Sequence, residues 1–404
     1  MSLSATVIDS VNIENVSVTT ASEPLSIQQR TAAVAAVAAQ YADVVDREGR
    51  FPAEAVAAMR QYQLFAMAVP EEFGGEGASL DDVAYACKAL GSACSSAAMV
   101  FAMHQSQLYC LTRHAQLDSW HATFLASAVA NQWLIASATS EESIGGDLRS
   151  SLCAVAPDAE GRFVLSKKTP TISYGAYADV ILVTARRTAT CNSADQVLVT
   201  VMREALDLTP TTPWDTMGMR GTCSGGFMLE ARGHQHQILE TPFAEIAART
   251  MVPVSHILWS HAWMGIAAAA VRRGQAFFRK KARVGGDTVT QSGMRLANAV
   301  GMLRGMESTI QSVMRSYGEV CNAQPGTLMF GSAVQMNDLK VRVSTTALQI
   351  VGEIMQLCGM AAYKNDSPYS VGRHLRDLHS APIMINNDRL MASSAVLMMA
   401  ERAV

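Results

Sequence analysis

The residues best suited to proton chemistry sit near the C-terminal end, where His379 stands beside the Arg376-Asp377 pair and Asp388 beside Arg389. A neutral imidazole with an ordinary pKa of about 6.5 can take a proton near neutral pH, so His379 is a suitable general base. Asp388 is a second candidate, with His256 and His261 behind it. Plainer uses are open to the same side chains: His379 can cap a helix or pair with Asp377, and Asp388 with Arg389 can form an ion pair or a solvated turn. His104, His114 and His121 share no compact set of Asp, Glu and Cys, which argues against a metal centre. The eight cysteines have neither metal-like nor disulfide-framework spacing and read as reduced, small core residues. Cys358 lacks the basic neighbours that favour a thiolate. Met391, Met398 and Met399 read as packing residues.

These side chains need a scaffold, and 404 residues with 49% hydrophobic content can bury a large core in two or three domains. The net charge is -3 and the 32 Lys and Arg are scattered, so no basic stripe offers itself to nucleic acid. No apolar run approaches the ~20 residues of a membrane span; the stretch from Gly265 to Val271 stops at Arg272 and Arg273. With no basic leader followed by an apolar segment, a cytoplasmic protein is expected. Residues 1–26 read as a flexible leader. Helical periodicity then marks a domain over 27–131, including Thr31 to Asp46, a helix after Pro52, and a start capped by Ser79 with Asp82. Strand-like runs at Phe163–Leu165, Val180–Val183 and Gln196–Val201 mark a central β domain over 132–245. Long helical patterns, Trp259 to Ala282 and Ser292 to Tyr317 among them, fill 246–404.

Several motifs in this helix–strand–helix order resemble the acyl-CoA dehydrogenase superfamily. Pro70-Glu71-Glu72-Phe73-Gly74-Gly75 looks like its early glycine-rich loop, and Ala138-Thr139-Ser140-Glu141-Glu142-Ser143-Ile144-Gly145-Gly146-Asp147 is similar to its flavin-side loop, with Gly146 replacing a serine. Leu165 to Ser173, then Ala178-Asp179, Met217 to Thr222, Gln356 to Tyr363 and Arg376-Asp377 follow at the family's order and spacing. The resemblance covers nearly the whole chain. It implies an α+β fold with an N-terminal helical domain, a central β domain and a C-terminal four-helix bundle, assembled as a homodimer or homotetramer. It also implies FAD held between the middle and C-terminal domains, partly by a neighbouring subunit. In that setting Ser140, Ser173 and the backbone around Ile172 would meet the polar edge of the isoalloxazine ring. Gln356 and Gly359 would receive the adenylate end, and Arg283 would face the pyrophosphate. Thr171 stands where a flavin-packing tryptophan is common, and Thr290 where a cofactor-contacting glutamine often occurs.

Members of that family remove a proton beside a thioester carbonyl with a glutamate. Counting forward from Arg376-Asp377 places Ile385, in Met384-Ile385-Asn386-Asn387, at the glutamate, and the alternative position used by some relatives falls at Ser255-His256. Neither is acidic. His379, Asp388 and His256 are therefore the replacement bases to consider. The leading expectation is oxidation of an unusual acyl thioester, on CoA or an acyl carrier protein, in secondary metabolism. An alternative is a two-component monooxygenase or N-hydroxylase, with FMN in place of FAD and a flavin reductase in place of an electron-transfer flavoprotein. A third is a non-catalytic oligomeric interaction protein.

Overall fold

The computed structural model describes residues 24–144, 148–284, 289–322 and 330–400. The expected leader, save its last residues, and Gly146 lie outside them. The N-terminal region is helical: α1 (Ile27–Glu48), α2 (Ala53–Gln61), α3 (Leu80–Ala93), α4 (Ser95–Thr112) and α5 (Trp120–Asn131). Helix α1 starts earlier than periodicity alone suggests because Ser26 and Gln29 satisfy one another's backbone N–H groups, and Gly49 ends it in the left-handed conformation. Ser79 and Asp82 form the same reciprocal cap on α3. Helix α4 is buried nearly all round, as a helix at the centre of a domain must be.

The β domain has two sheets. In one, β1 (Ile135–Ala138) runs parallel to β4 (Val180–Arg186), which pairs antiparallel with β5 (Gln196–Met202). In the other, β2 (Ala156–Pro157), β3 (Arg162–Thr169), β7 (Gly226–His234) and β6 (Leu206–Thr212) lie in that order, all antiparallel. Strand β3 alternates exposed and buried residues, which turns Phe163, Leu165, Lys167 and Thr169 inward. Strands β4 and β5 are buried along almost their whole length, hence their continuous apolar sequences.

A short α6 (Phe243–Ile246) passes through a π turn, Ala247–Met251, into α7 (Val252–Val284). Helices α8 (Val289–Asn322) and α9 (Phe330–Cys358) complete the long antiparallel set, and α13 (Asn387–Ala400) packs on α9. Between them lie α10 (Met360–Tyr363), α11 (Gly372–Leu378) and α12 (Ser380–Ile383). The helical stretch Phe243–Arg283 is long and apolar enough to cross a membrane, yet 94% of its apolar window is buried inside the protein. It is the core helix of the fold. Glycines set how closely α3 and α7 approach: a Cβ on Gly91 would stand 2.2 Å from the Ala262 carbonyl oxygen, and one on Gly265 2.2 Å from that of Lys88. Gly265→Ala is therefore expected to cost ~1–3 kcal/mol through overpacking, read as a lower urea midpoint with an unchanged m-value.

Candidate functional site

A joint between the three regions positions the site. The loop Met217-Gly218-Met219-Arg220 lies against α11 so closely that a Cβ on Gly218 would stand 2.1 Å from the Arg376 carbonyl oxygen. Met219 N–H donates to Asp377 Oδ1 at 2.7 Å. Arg376 makes a two-pronged pair with Asp46 of α1 and also donates to the Met217 carbonyl oxygen at 2.9 Å. Arg220 Nε donates to the Asp46 carbonyl oxygen at 2.8 Å. Burial raises the Asp377 carboxyl above its ordinary range, against the Met219 N–H bond, which favours its ionised form. Two motifs far apart in sequence thus meet as a structural hinge pin. Asp377 faces Met219, while His379 is exposed at the junction of α11 and α12.

The β domain brings three of the sequence-derived flavin residues together. Ser140 Oγ donates to the Thr171 carbonyl oxygen at 2.8 Å, which places it beside the Ile172–Ser173 turn. Ile172 is buried and its N–H donates to the Gly225 carbonyl oxygen at 2.9 Å, so this amide is committed to the fold. Ser173 is different. Its hydroxyl accepts from Ser224 Oγ at 2.9 Å, and the single hydroxyl proton of Thr222, 2.8 Å from both Ser224 Oγ and the Met219 carbonyl oxygen, goes to one or the other of them. The chain of hydroxyls leaves the Ser173 proton able to donate outward. Such a hydroxyl beside a second, half-buried serine suits the polar rim of an isoalloxazine ring.

A second group lies at the far end of the bundle. Arg283 is exposed in the last turn of α7, and Gln356 and Gly359 are exposed at the end of α9. The ends of α7 and α9 adjoin, since a Cβ on Gly274 would touch both Ile354 and Leu357. Gly359 has φ +55 and ψ -133, a conformation open to glycine, and no other atom lies within 4 Å of where its Cβ would be. Backbone can therefore be approached closely there.

The three candidate bases do not meet. Asp388 is exposed, with its N–H on Asn386 Oδ1 at 2.8 Å. His256 is fully buried between α7 and α9, its Nδ1 3.1 Å from the Met336 carbonyl oxygen, and desolvation pushes its imidazole down to about 4. Ile385 has φ +49, an uncommon choice for a β-branched residue. Its carbonyl oxygen accepts at 2.7 Å from the Nζ of Lys340, which also donates to Asn387 Oδ1 at 2.8 Å. Lys340 is fully buried, and desolvation draws its amine down to about 7. Sequence reasoning missed it. The available signal was its place on the α9 stripe Met336, Lys340, Val343 and Ala347, whose other members are buried apolar residues.

Residues 23–121 match the family described as acyl-CoA dehydrogenase, N-terminal domain, and residues 246–393 the acyl-CoA dehydrogenase, C-terminal domain. The chain belongs to the acyl-CoA dehydrogenase superfamily of flavin-dependent oxidoreductases. A probable acyl-CoA dehydrogenase of Bacillus subtilis is 27% identical over 197 residues, 48% of this chain and 50% of the relative. The L-evernosamine nitrososynthase of a Micromonospora species is 32% identical over 190 residues, 46% of this chain and 44% of the relative. The chain thus spans about half the length of these two curated relatives. In fold it is similar to FMN-bound dibenzothiophene monooxygenase TdsC from Paenibacillus sp. A11-2, with TM-score 0.82, 18% identity, and coverage of 94% of this chain and 98% of that one.

Proposed function

We propose that this chain is a flavin-dependent monooxygenase that inserts one oxygen atom into an aromatic, sulfur- or amine-bearing organic substrate, using reduced flavin delivered by a separate reductase. The observation that carries the reading is the turn at Ile385. Where the dehydrogenases of the family place a glutamate, this chain has an aliphatic side chain whose carbonyl is held by Lys340. Helix α7 contains no acidic residue that could stand in for it. Relatives named as a nitrososynthase and an FMN-bound monooxygenase support the same choice. The leading expectation from sequence, acyl-thioester oxidation, requires a positioned base that none of these residues provides.

When bound, reduced flavin supplies the two electrons with which O2 gives one atom to the substrate and the other to water. The chain's own contribution is placement. Ser173 donates from its hydroxyl to the ring's polar edge, and Ser140 holds the Thr171–Ser173 turn in place through its bond to the Thr171 carbonyl oxygen. Arg283 would face the pyrophosphate of FAD, and Gln356 and Gly359 would receive its adenylate end across an interface with a neighbouring subunit of a homodimer or homotetramer. FMN ends at a single phosphate and has no adenylate for Gln356 and Gly359 to receive.

The test supplies reduced FMN or FAD through a flavin reductase under labelled O2, with indole, an aryl sulfide and a primary amine as probes. One labelled oxygen atom in a product supports the reading. Anaerobic bleaching of the bound flavin by an acyl-CoA or acyl-carrier-protein thioester, with no labelled product from any probe, would overturn it.

A further inference from the structure

The seam between α7 and α9, beneath the Ile385 turn, contains polar groups for which the protein provides no partner. On α7, His256, Trp259, Ser260 and Trp263 recur at i, i+3, i+4 and i+7, so they share one helical face, and all four are buried. Trp259 Nε1, Trp263 Nε1, Ser260 Oγ and His256 Nε2 have no hydrogen-bond partner. Because the Met336 carbonyl can only accept, His256 carries its proton on Nδ1 and presents a bare lone pair at Nε2. Lys340 faces them from α9, its Nζ 6.0 Å from the centre of the Trp263 ring. Two of its three hydrogens go to Ile385 and Asn387. Among the described residues, no carboxylate lies within ion-pair distance of it.

A buried donor without a partner costs ~1–3 kcal/mol, and a buried cation without a counter-charge costs more. Four of the twelve buried side-chain atoms without a partner among the described residues fall in this one seam. Ordered water would satisfy the N–H and O–H groups but supply no counter-charge when Lys340 is protonated. A carboxylate does both, since its two oxygens can accept from Lys340 and from donors on the facing α7 stripe.

We propose that this seam binds a small organic carboxylate, with Lys340 as its charge partner and Trp259 and Trp263 as N–H donors. The site lies beneath the Ile385 turn and is inferred without reference to the proposed oxygen chemistry. A bound carboxylate favours the ammonium form, so affinity falls as pH rises above about 7, where the free amine loses its proton. The other titratable groups around it do not reverse that sign. His256 on α7 stays neutral down to about 4, and Asp388 and Arg389 on α13 and His379 before α12 are exposed.

The experiment titrates acetate and benzoate into the purified flavin-loaded protein, following heat and tryptophan fluorescence, at pH 6.5 and 8.5. Saturable binding of at least one probe is expected, weaker by about fivefold or more at the higher pH and by about tenfold or more in Lys340→Met. Trp263→Phe keeps an aromatic ring, though a smaller one, removes one donor, and is expected to weaken binding by roughly fivefold. The exposed Lys364→Met should leave it unchanged. Absence of saturable binding by both probes overturns the proposal, as does undiminished binding in Lys340→Met. Should that variant fail to fold, undiminished binding in Trp263→Phe with no pH dependence overturns it equally. None of these outcomes bears on labelled-oxygen incorporation, so this site and the proposed oxygenase activity stand or fall separately.

Discussion

Lowering the pH from 6.5 to 4 is expected to unfold the protein cooperatively, because buried histidines hold their neutral form. Burial pushes His104, His121 and His256 down to about 4. His104 shows why: its Nδ1 accepts from Ile135 N–H at 3.0 Å while its other nitrogen donates to the Phe65 carbonyl oxygen at 2.8 Å, so a second ring proton would face a donor. Folded-state values below the unfolded 6.5 mean that the unfolded chain binds more protons between pH 4 and 6.5. Stability is therefore full above 6.5 and is lost as the pH falls through that window. A displacement from 6.5 to about 4 corresponds to roughly 3 kcal/mol per imidazole, and three together rival the ~5–15 kcal/mol of a typical fold. Burial holds His114 down to about 4 and His374 neutral as well, so urea unfolding at stepped pH, followed by circular dichroism, should show more than three protons taken up on unfolding near pH 5. A flat profile there would contradict this account of the core.

Lys167→Met is expected to cost ~3–5 kcal/mol, because it strands a buried carboxylate. Lys167 points inward from β3 and donates to the carbonyl and hydroxyl oxygens of Thr184 at 2.7 and 2.9 Å. Its Nζ lies 3.8 Å from Glu141, whose carboxylate accepts from the N–H groups of Leu152 and Cys153 and from Ser151 Oγ. Glu141 follows Ser140 directly, so this pair anchors the loop that carries a flavin candidate. The measurement is the urea midpoint of Lys167→Met against that of the double variant with Glu141→Gln. The second change should recover part of the loss, since a neutral amide tolerates burial better than an unpaired charge. A Lys167→Met protein as stable as the parent would show that the pair contributes little.

The layout of helices, strands and helices was legible because each region keeps one periodicity. Strand β3 shows both the strength and the limit of that reading: its alternation predicts which residues turn inward, but a pattern of apolar residues gives no reason to place Lys167 among them. The glycine and acid of the Met217–Arg220 and Arg376-Asp377 motifs were recognisable as landmarks, yet their meeting is tertiary. Only the folded chain shows that Gly218 is required by the Arg376 backbone and that Asp377 answers Met219 rather than His379. Ser140 and Ser173 were found from two local motifs, and the fold sets Ser140 beside the turn that carries Ser173. Lys340 was missed because a mid-helix lysine ordinarily extends to solvent. Its role depends on α7 and α13, segments remote in sequence that close over it.

The central claim, that the chain presents a flavin-binding surface built around Ser173, is tested most directly by equilibrium titration. FMN and FAD, each oxidised and anaerobically reduced, are added to the assembled protein while absorbance and fluorescence are followed. The account predicts saturable binding of at least one flavin, weakened by Ser173→Ala without loss of the folded circular dichroism spectrum. No binding of either flavin in either redox state would contradict it.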